Sequence, residues 1–252
     1  MNKQTKCIII IFVISLIVLL FILYYLKVSS NFNNTINNDI FHYEIDNFLT
    51  NEECDTIINN SINNLVDSKV LASDDQDASM TFKDSRRTSQ QHSFDNNLIK
   101  NIITKTENLI NKYSKNLVNR KHFENMQVLR YKTNGEYQAH MDICHPHTED
   151  KTKIKTCKAD YERFKSIRYA TVIFYLNAGF NGGNTYFPNI DKKIIPKKGK
   201  ALLFFNCKFN KNTNNTGLCD TINNSKHAGE PVLSGKINEK WIATIWVRTK
   251  EI

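Results

Sequence analysis

The chain is poor in the residues that break regular structure, with eight glycines and four prolines among 252 residues. It holds no Gly-X-Y repeat, so it is not itself a collagen-like chain. No internal repeat is present, which argues against a stacked-repeat architecture. No nucleic-acid-binding motif is present either, and the lysines are scattered rather than arranged in a stripe. The formal charge of +9 therefore reads as a solvated Lys-rich surface, with no nucleic-acid partner expected. Lysine and arginine are missing altogether between Lys27 and Lys69, whereas Asp39, Glu44 and Asp46 fall inside that gap.

That gap matters because of what precedes it. Residues 7–26 are an uninterrupted run of uncharged, mostly apolar side chains, about 30 Å long as a helix and thus one hydrocarbon thickness. Lys3 and Lys6 stand before the run. The positive-inside rule then predicts a cytoplasmic N-terminus, a single transmembrane signal anchor, and the remainder across the membrane. Residues 1–27 are the tail and anchor, 28–40 an Asn- and Ser-rich stalk, and 41–252 one domain. A cleaved signal peptide is the alternative, with Val28-Ser29-Ser30 as its cleavage site. Either way the domain reaches the endoplasmic reticulum lumen or the secretory pathway, the first as a single-pass type II membrane protein.

Asn33, Asn59, Asn214 and Asn223 lie in glycosylation sequons. Five cysteines lie outside the apolar run. In an oxidising compartment Cys144 with Cys157, and Cys207 with Cys219, can each close a short loop. Cys54 is the odd one, expected to be buried on a helix.

The remaining 210 or so residues suffice for one domain with a sizeable core. Thr50 and Glu53 form a capping box. Behind it, Cys54, Ile57, Ile58, Ile62, Leu65 and Val66 share a helical face. Residues 71–93 are polar and read as loop with short strands. Ser93 can cap a second helix reaching about Val118, with Leu98, Ile102, Leu109, Ile110, Tyr113 and Leu117 inward. From Met126 the pattern changes to short apolar and β-branched runs. These fall at 126–131, 137–143, 169–176, 185–187, 201–205, 231–233 and 241–247, after an earlier one near 41–45. Two helices followed by about eight short strands predict an α+β arrangement, helices packed on a β-sandwich or barrel.

Four residues carry chemistry. His140 and Asp142 alternate across Met141, so on a strand both point to one face. His227 follows 87 residues after His140, and Lys240 thirteen residues after that. Two imidazoles and one carboxylate on one side of a metal leave the other side open, as a facial iron(II) site requires. A cation shortly after the second histidine suits a dicarboxylate cosubstrate, because a buried carboxylate needs a charged partner. His-x-Asp alone is common, and a lone histidine is usually structural; the combination in this order is specific.

Several blocks resemble the prolyl 4-hydroxylase branch of the Fe(II)/2-oxoglutarate-dependent dioxygenases. They are Gln127-Val128-Leu129-Arg130-Tyr131 with Tyr137, His140 and Asp142, and Arg168-Tyr169-Ala170-Thr171 with Tyr175-Leu176-Asn177. They continue with Gly182-Gly183-Asn184-Thr185-Tyr186-Phe187-Pro188, His227-Ala228-Gly229-Glu230-Pro231-Val232, and Lys240-Trp241 with Ala243-Thr244-Ile245-Trp246. Phe48-Leu49, Glu52-Glu53-Cys54 and Arg87-Thr88-Ser89 resemble the family's N-terminal part.

The resemblance implies a double-stranded β-helix, or jelly-roll, core. It implies that His140, Asp142 and His227 ligate Fe(II). It implies that Lys240, helped by Tyr131 and Thr185, binds the distal carboxylate of 2-oxoglutarate, and that Tyr137, Arg168 and Trp246 lie near the peptide. The family's lysine usually follows the distal histidine more closely, so Lys236 is a rival anchor; Lys240 is preferred because it directly precedes Trp241 and the last strand. Residues 143–167 form a long polar insertion, read as a lid, substrate loop or surface loop. Its Cys144, His145, His147 and Cys157 match no standard zinc spacing. The activity implied is peptidyl-prolyl 4-hydroxylation with O2, 2-oxoglutarate and L-ascorbate, on a proline-rich or collagen-like chain in polyproline II form. The rivals are a hydroxylase of the same superfamily acting on another residue, such as lysine, and a non-catalytic binding protein that keeps the fold.

Overall fold

The computed structural model describes residues 41–71, 81–82, 84–114, 118–209 and 216–252, together with Val18 and Phe21. The rest of the expected anchor, the stalk, Leu117 and the sequons at Asn33 and Asn214 lie outside the described residues. Among the described residues no helix is long and apolar enough to cross a membrane. Residues Phe41–Ile252 form one compact unit.

Eleven strands make up the two main sheets. In chain order they are β1 (His42–Ile45), β2 (Val66–Asp67), β3 (Gln90–Phe94), β4 (Met126–Lys132), β5 (Tyr137–His140) and β6 (Arg168–Tyr175). They continue as β7 (Thr185–Phe187), β8 (Lys192–Ile194), β9 (Ala201–Phe205), β10 (His227–Gly229) and β11 (Glu239–Arg248). The seven-stranded sheet has the order β1-β9-β6-β11-β4-β3-β2, and the four-stranded sheet β8-β7-β10-β5. All these pairs are antiparallel.

Strand alternation sorts the side chains of the large sheet into two cores. On one face Val128, Val172, Phe174, Leu203, Trp241, Ala243 and Ile245 join a cluster with Cys54, Ile57, Ile102, Ile103, Leu109 and Ile110 of the helices. On the other face Leu129, Tyr131, Ile173, Tyr175, Leu202, Phe204 and Ile242 meet Phe187 and Ile194 of the small sheet. The second cluster is the interior between the two sheets, as in a jelly roll. Each fully buried Phe, Leu or Ile contributes about 1.5–3 kcal/mol.

Helix α1 (Asn51–Ser61) opens on the expected capping box of Thr50 and Glu53. It buries Cys54 and Ile57, but it ends at Ser61, and Ile62 and Val66 are exposed. Helix α2 (Lys100–Tyr113) departs further from expectation. Ser93 does not cap it, because Ser93 pairs with Gln127 inside β3. Asp95 instead caps a 3-10 turn over Asn96–Ile99 that leads into α2, and Leu98 is exposed on that turn. The helix stops at Tyr113, where the extended Ser114 closes it with a backbone bond to Ile110.

The insertion at 143–167 is not plain loop. It holds α3 (Ile154–Phe164), and Cys144 is disulfide-bonded to Cys157 within it. The helix was readable, since Ile154, Cys157, Tyr161 and Phe164 recur at intervals of three and four residues. Cys207 is bonded to Cys219, and Cys54 is free and buried, as the spacing suggested.

Gly199 ties the sheet to the start of α1. Its carbonyl accepts from Leu49 N–H at 3.0 Å. Its φ is +81°, and a Cβ there would lie 2.4 Å from the Leu49 carbonyl oxygen. Gly199→Ala is therefore expected to cost about 2 kcal/mol or more, from left-handed strain plus a backbone clash. Thermal unfolding should show a Tm lower by about 4–8 °C; an unchanged Tm would contradict this account of the turn.

Candidate metal and dicarboxylate site

The site is built from the inner face of the large sheet and two neighbouring strands of the small one. On β11, alternation sends Lys240, Ile242, Thr244 and Trp246 inward, and all four line one cavity. At about 3.3 Å per residue, the cavity's floor runs about 20 Å from Lys240 to Trp246. Lys240 stands opposite Tyr131 of β4, and Trp246 opposite Thr171 of β6.

At the Trp246 end, His140 of β5 pairs directly with His227 of β10. Asp142 was expected on the strand with His140, but β5 ends at His140 and Asp142 lies two residues past it. Its carboxylate is turned inward, where Oδ2 accepts from Thr171 Oγ1 at 2.7 Å. The Thr171 hydroxyl accepts in turn from Asn206 Nδ2 at 3.0 Å. His140 Nε2 lies 3.6 Å from Asp142 Oδ1, and His227 Nε2 lies 3.7 Å from Oδ2. One ligand atom from each residue falls within 4.8 Å of the others, the closeness a single ion requires.

Both imidazoles are oriented by their second nitrogen. His140 Nδ1 contacts the Gln138 carbonyl at 2.8 Å, and His227 Nδ1 contacts the Ser225 carbonyl at 2.9 Å. A carbonyl only accepts, so each Nδ1 carries the proton and each Nε2 presents a lone pair to the cluster. Burial, reinforced by the neighbouring His140, lowers the His227 pKa to about 4, so its ring is neutral and free to ligate at physiological pH. Burial alone would raise the Asp142 pKa, but His227 and His140 outweigh it and hold the carboxyl well below the usual range. Two imidazole nitrogens and one carboxylate suit a divalent iron.

At the other end lies a cation with no anion beside it among the described residues. Lys240 is 2% exposed. Its ammonium donates to the Gly183 carbonyl at 2.6 Å. It sits 5.4 Å from the Tyr131 ring centre and 6.0 Å from that of Tyr175. Burial lowers its pKa to about 7, with only a distant Glu230 opposing. A buried ammonium with no carboxylate beside it is costly, and a dicarboxylate would complete it. Gly183, at φ +64°, leaves room for the lysine stem, since a Cβ would lie 3.2 Å from Lys240 Cδ and 2.9 Å from the Phe180 ring. Lys236, by contrast, is exposed. The residues present thus fit both an iron(II) ion and a diacid.

The other expected residues fall around this frame. Thr185 is buried with its hydroxyl 2.7 Å from that of Tyr175, and Tyr131 and Thr185 line the cavity. Tyr137 stacks on His140 with ring centres 3.6 Å apart, and burial pushes its phenol up to about 12. Trp246 lines the cavity with its indole N–H buried and unpartnered. Arg168 is not among the lining residues. Its guanidinium lies 3.9 Å over the Trp246 ring and is held by Glu124 through bonds of 2.8 and 2.7 Å.

Four residues had no assigned role in the sequence reading: Thr171, Asn206, Tyr175 and Arg87. Arg87 lines the cavity and lies 4.8 Å from the Tyr137 ring centre. Thr171 and Tyr175 share the parity of Ile173 on β6, a signal that would have placed both inside.

Comparison with known proteins agrees with this geometry. The family model of the 2OG-Fe(II) oxygenase superfamily matches residues 126–248. A protein of Acanthamoeba polyphaga mimivirus, provisionally named a prolyl 4-hydroxylase, is 34% identical over 211 residues, which is 83% of this chain and 74% of that one. Prolyl 4-hydroxylase 2 of Arabidopsis thaliana is 29% identical over 79% of this chain, and the match spans 64% of its own length. Among solved structures, the viral collagen prolyl hydroxylase of Paramecium Bursaria Chlorella virus-1, in complex with 2OG, matches with a TM-score of 0.57 at 29% identity. That match covers 84% of this chain and 98% of the viral one. A prolyl hydroxylase from Trichoplax adhaerens shares the fold, with a TM-score of 0.54 at 18% identity over 89% of this chain and 92% of its own. Sequence kinship over most of its length, together with the matching fold, shows that the chain belongs to the prolyl 4-hydroxylase family of the 2OG-Fe(II) oxygenases.

Proposed function

We propose that this chain is a peptidyl-prolyl 4-hydroxylase acting on proline-rich or collagen-like peptides, with Fe(II), 2-oxoglutarate and L-ascorbate. The observation that carries the reading is one cavity with a His-Asp-His cluster at one end and an unpaired buried ammonium at the other. When bound, iron(II) supplies the oxygen chemistry, in which 2-oxoglutarate and O2 give succinate and CO2 as one oxygen atom enters a prolyl C–H bond. The chain's own contribution is positioning.

His140, Asp142 and His227 would hold the metal from one side, and Thr171 would keep Asp142 aimed at it while Asn206 steadies Thr171. Lys240 would neutralise the distal carboxylate of the diacid, with the Tyr131 and Thr185 hydroxyls as further donors. The apolar inner walls of Leu129, Ile173 and Ile242 would keep water from that ion pair and strengthen it. Tyr137 and Trp246 would form the peptide end, and the unpartnered indole N–H of Trp246 is a donor suited to a peptide carbonyl. A polyproline II chain has solvated carbonyls and no internal hydrogen bonds, so it offers such acceptors freely.

Two disulfides support a lumenal placement, because such bonds persist in oxidising compartments. Asn59 and Asn223 are both exposed, as an attached glycan would require. The apolar run at 7–26 would hold the domain on the membrane.

The direct test is mass spectrometry of proline-rich, collagen-like and lysine-containing peptides after incubation with iron(II), 2-oxoglutarate, ascorbate and O2. One added oxygen on proline is expected. Oxygen on lysine alone, or no product from any peptide, would overturn the reading. His227→Ala should form no product while its circular dichroism stays native, and full activity in that variant would remove the metal assignment.

Lys240→Met should weaken 2-oxoglutarate binding about 10- to 100-fold, the worth of a charged hydrogen-bonded pair, while Lys236→Ala leaves it unchanged. The sign of the pH dependence follows from the lowered lysine pKa of about 7. The diacid needs the ammonium form, which is complete below that value and lost above it. Affinity is therefore greatest below pH 7 and falls up to about tenfold per pH unit above it, until the raised pKa of the bound state is reached. Calorimetric titration of 2-oxoglutarate into the Mn(II)-loaded protein should show this slope, and Lys240→Arg, whose charge does not titrate, should abolish it. A flat profile in the native protein would contradict the anchor.

A further inference from the structure

The insertion at 143–167 is connected to the cavity wall through a chain of partly buried charges, with Arg248 fully buried among them. Helix α3 is fastened to the segment leaving Asp142 by the Cys144–Cys157 disulfide, and it buries Thr156 and Cys157. One turn on, Asp160 accepts from Arg248 Nη2 at 3.1 Å and from Nη1 at 3.2 Å. The Arg248 side chain is 2% exposed, donates to the Ser166 carbonyl at 2.9 Å, and lies 3.8 Å over the Phe164 ring. Its Nε donates to Glu124 Oε1 at 2.8 Å. That same oxygen accepts from Arg168 Nε at 2.8 Å, and Oε2 accepts from Arg168 Nη2 at 2.7 Å. Glu124 is thus shared by two guanidiniums, and the second of these stacks on Trp246 of the cavity wall.

The charges balance as two cations and two anions only while Asp160 is present. Without it, Arg248 keeps a buried charge with Glu124 as its one anionic partner in the cluster. Desolvated guanidinium groups compete strongly for a carboxylate. Arg248 would then draw Glu124 away from Arg168, and Arg168 would lose the clamp that holds it flat on Trp246.

We propose that Asp160 is a positioning residue for the peptide: acting through Arg248 and Glu124, it fixes Arg168 against Trp246, so that the inserted helix sets the peptide end of the cavity. Of the metal ligands and Lys240, Asp142 feels the Arg168 charge, and that charge remains when Asp160 is neutralised, so their functions should be largely spared. The kinetic consequence rests on the peptide hydroxylase reading; the structural link does not.

The test uses the full chain with Asp160→Asn, which keeps the shape and removes the charge, and Asp160→Glu, which restores it. With a peptide that the native enzyme hydroxylates, Asp160→Asn should raise peptide KM about 5- to 20-fold, the scale of a weakened charged contact. KM for 2-oxoglutarate and kcat at saturating peptide should stay within about twofold, and Asp160→Glu should recover most of the peptide KM. Acrylamide quenching of intrinsic fluorescence gives a readout that needs no turnover. Trp241 and Trp246 are the only tryptophans, and Trp241 is 1% exposed. Quenching should rise in Asp160→Asn and return in Asp160→Glu. Unchanged quenching, or a loss of kcat shared by every substrate with only a lower Tm, would reduce Asp160 to a structural tie and overturn the proposal. If no peptide is turned over by the native chain but quenching rises as expected, the hydroxylase reading falls and the link from Asp160 to Trp246 stands.

Discussion

The site depends on the register of one strand. β11 is ten residues long and pairs with β4 on one side and β6 on the other. Its odd-numbered residues Trp241, Ala243 and Ile245 belong to the helix-covered core, and its even-numbered ones to the cavity. A slip of one residue would send Lys240 into the helix-covered core and Trp241 into the cavity. Two flanking strands and the large Trp241 side chain make that slip prohibitively costly. The chemistry of the inner face is therefore held in place by the packing of the outer face, which touches no ligand.

That dependence explains why the helices matter to function. α1 and α2 contribute nothing to the cavity, yet Cys54, Ile57, Ile103 and Ile110 cover the face that fixes the register. The small sheet then needs only to bring one edge close. It does so through β10, whose first residue is His227, paired with the last residue of β5, His140. Two histidines far apart in sequence become neighbours through a single strand pairing, and Asp142 folds back to them from the end of β5.

Much of this was legible in the chain. The strands at 185–187 and 201–205 match expectation, and the capping box at Thr50 and Glu53 forms as its spacing suggested. Lys240 was preferred to Lys236 because it directly precedes the last strand, and the structure buries the one and exposes the other. What failed had physical reasons. Ser93 looked like a helix cap, but its backbone is committed to a strand ladder that no local pattern reveals. α3 was passed over although Ile154, Cys157, Tyr161 and Phe164 mark its narrow apolar face, because most of its other residues are charged. Arg168 stands over Trp246 of the cavity wall, and the ion pair that holds it there, with Glu124 44 residues earlier, is of a span invisible to local spacing. Thr171 stands inside the Arg168-Tyr169-Ala170-Thr171 block, yet its hydroxyl acts only through the turn that carries Asp142 beyond β5.

The same physical test separates the two charged clusters of the domain. In the cluster of Glu124, Asp160, Arg168 and Arg248, each charge meets an opposite charge, so nothing further is needed to stabilise it. In the cavity, among the described residues, Lys240 meets only a carbonyl and two aromatic rings, while the His-Asp-His group gathers three ligand atoms around one point. A fold tolerates such imbalance only where something else completes it, since each uncompensated buried charge costs several kcal/mol. One deficit asks for an anion and the other for a metal cation, and both open into the same cavity. A small diacid that also chelates the metal satisfies both at once. This complementarity, more than any single residue, is why the domain reads as an oxygenase that uses a keto-diacid rather than as a scaffold that has kept its shape and lost its chemistry.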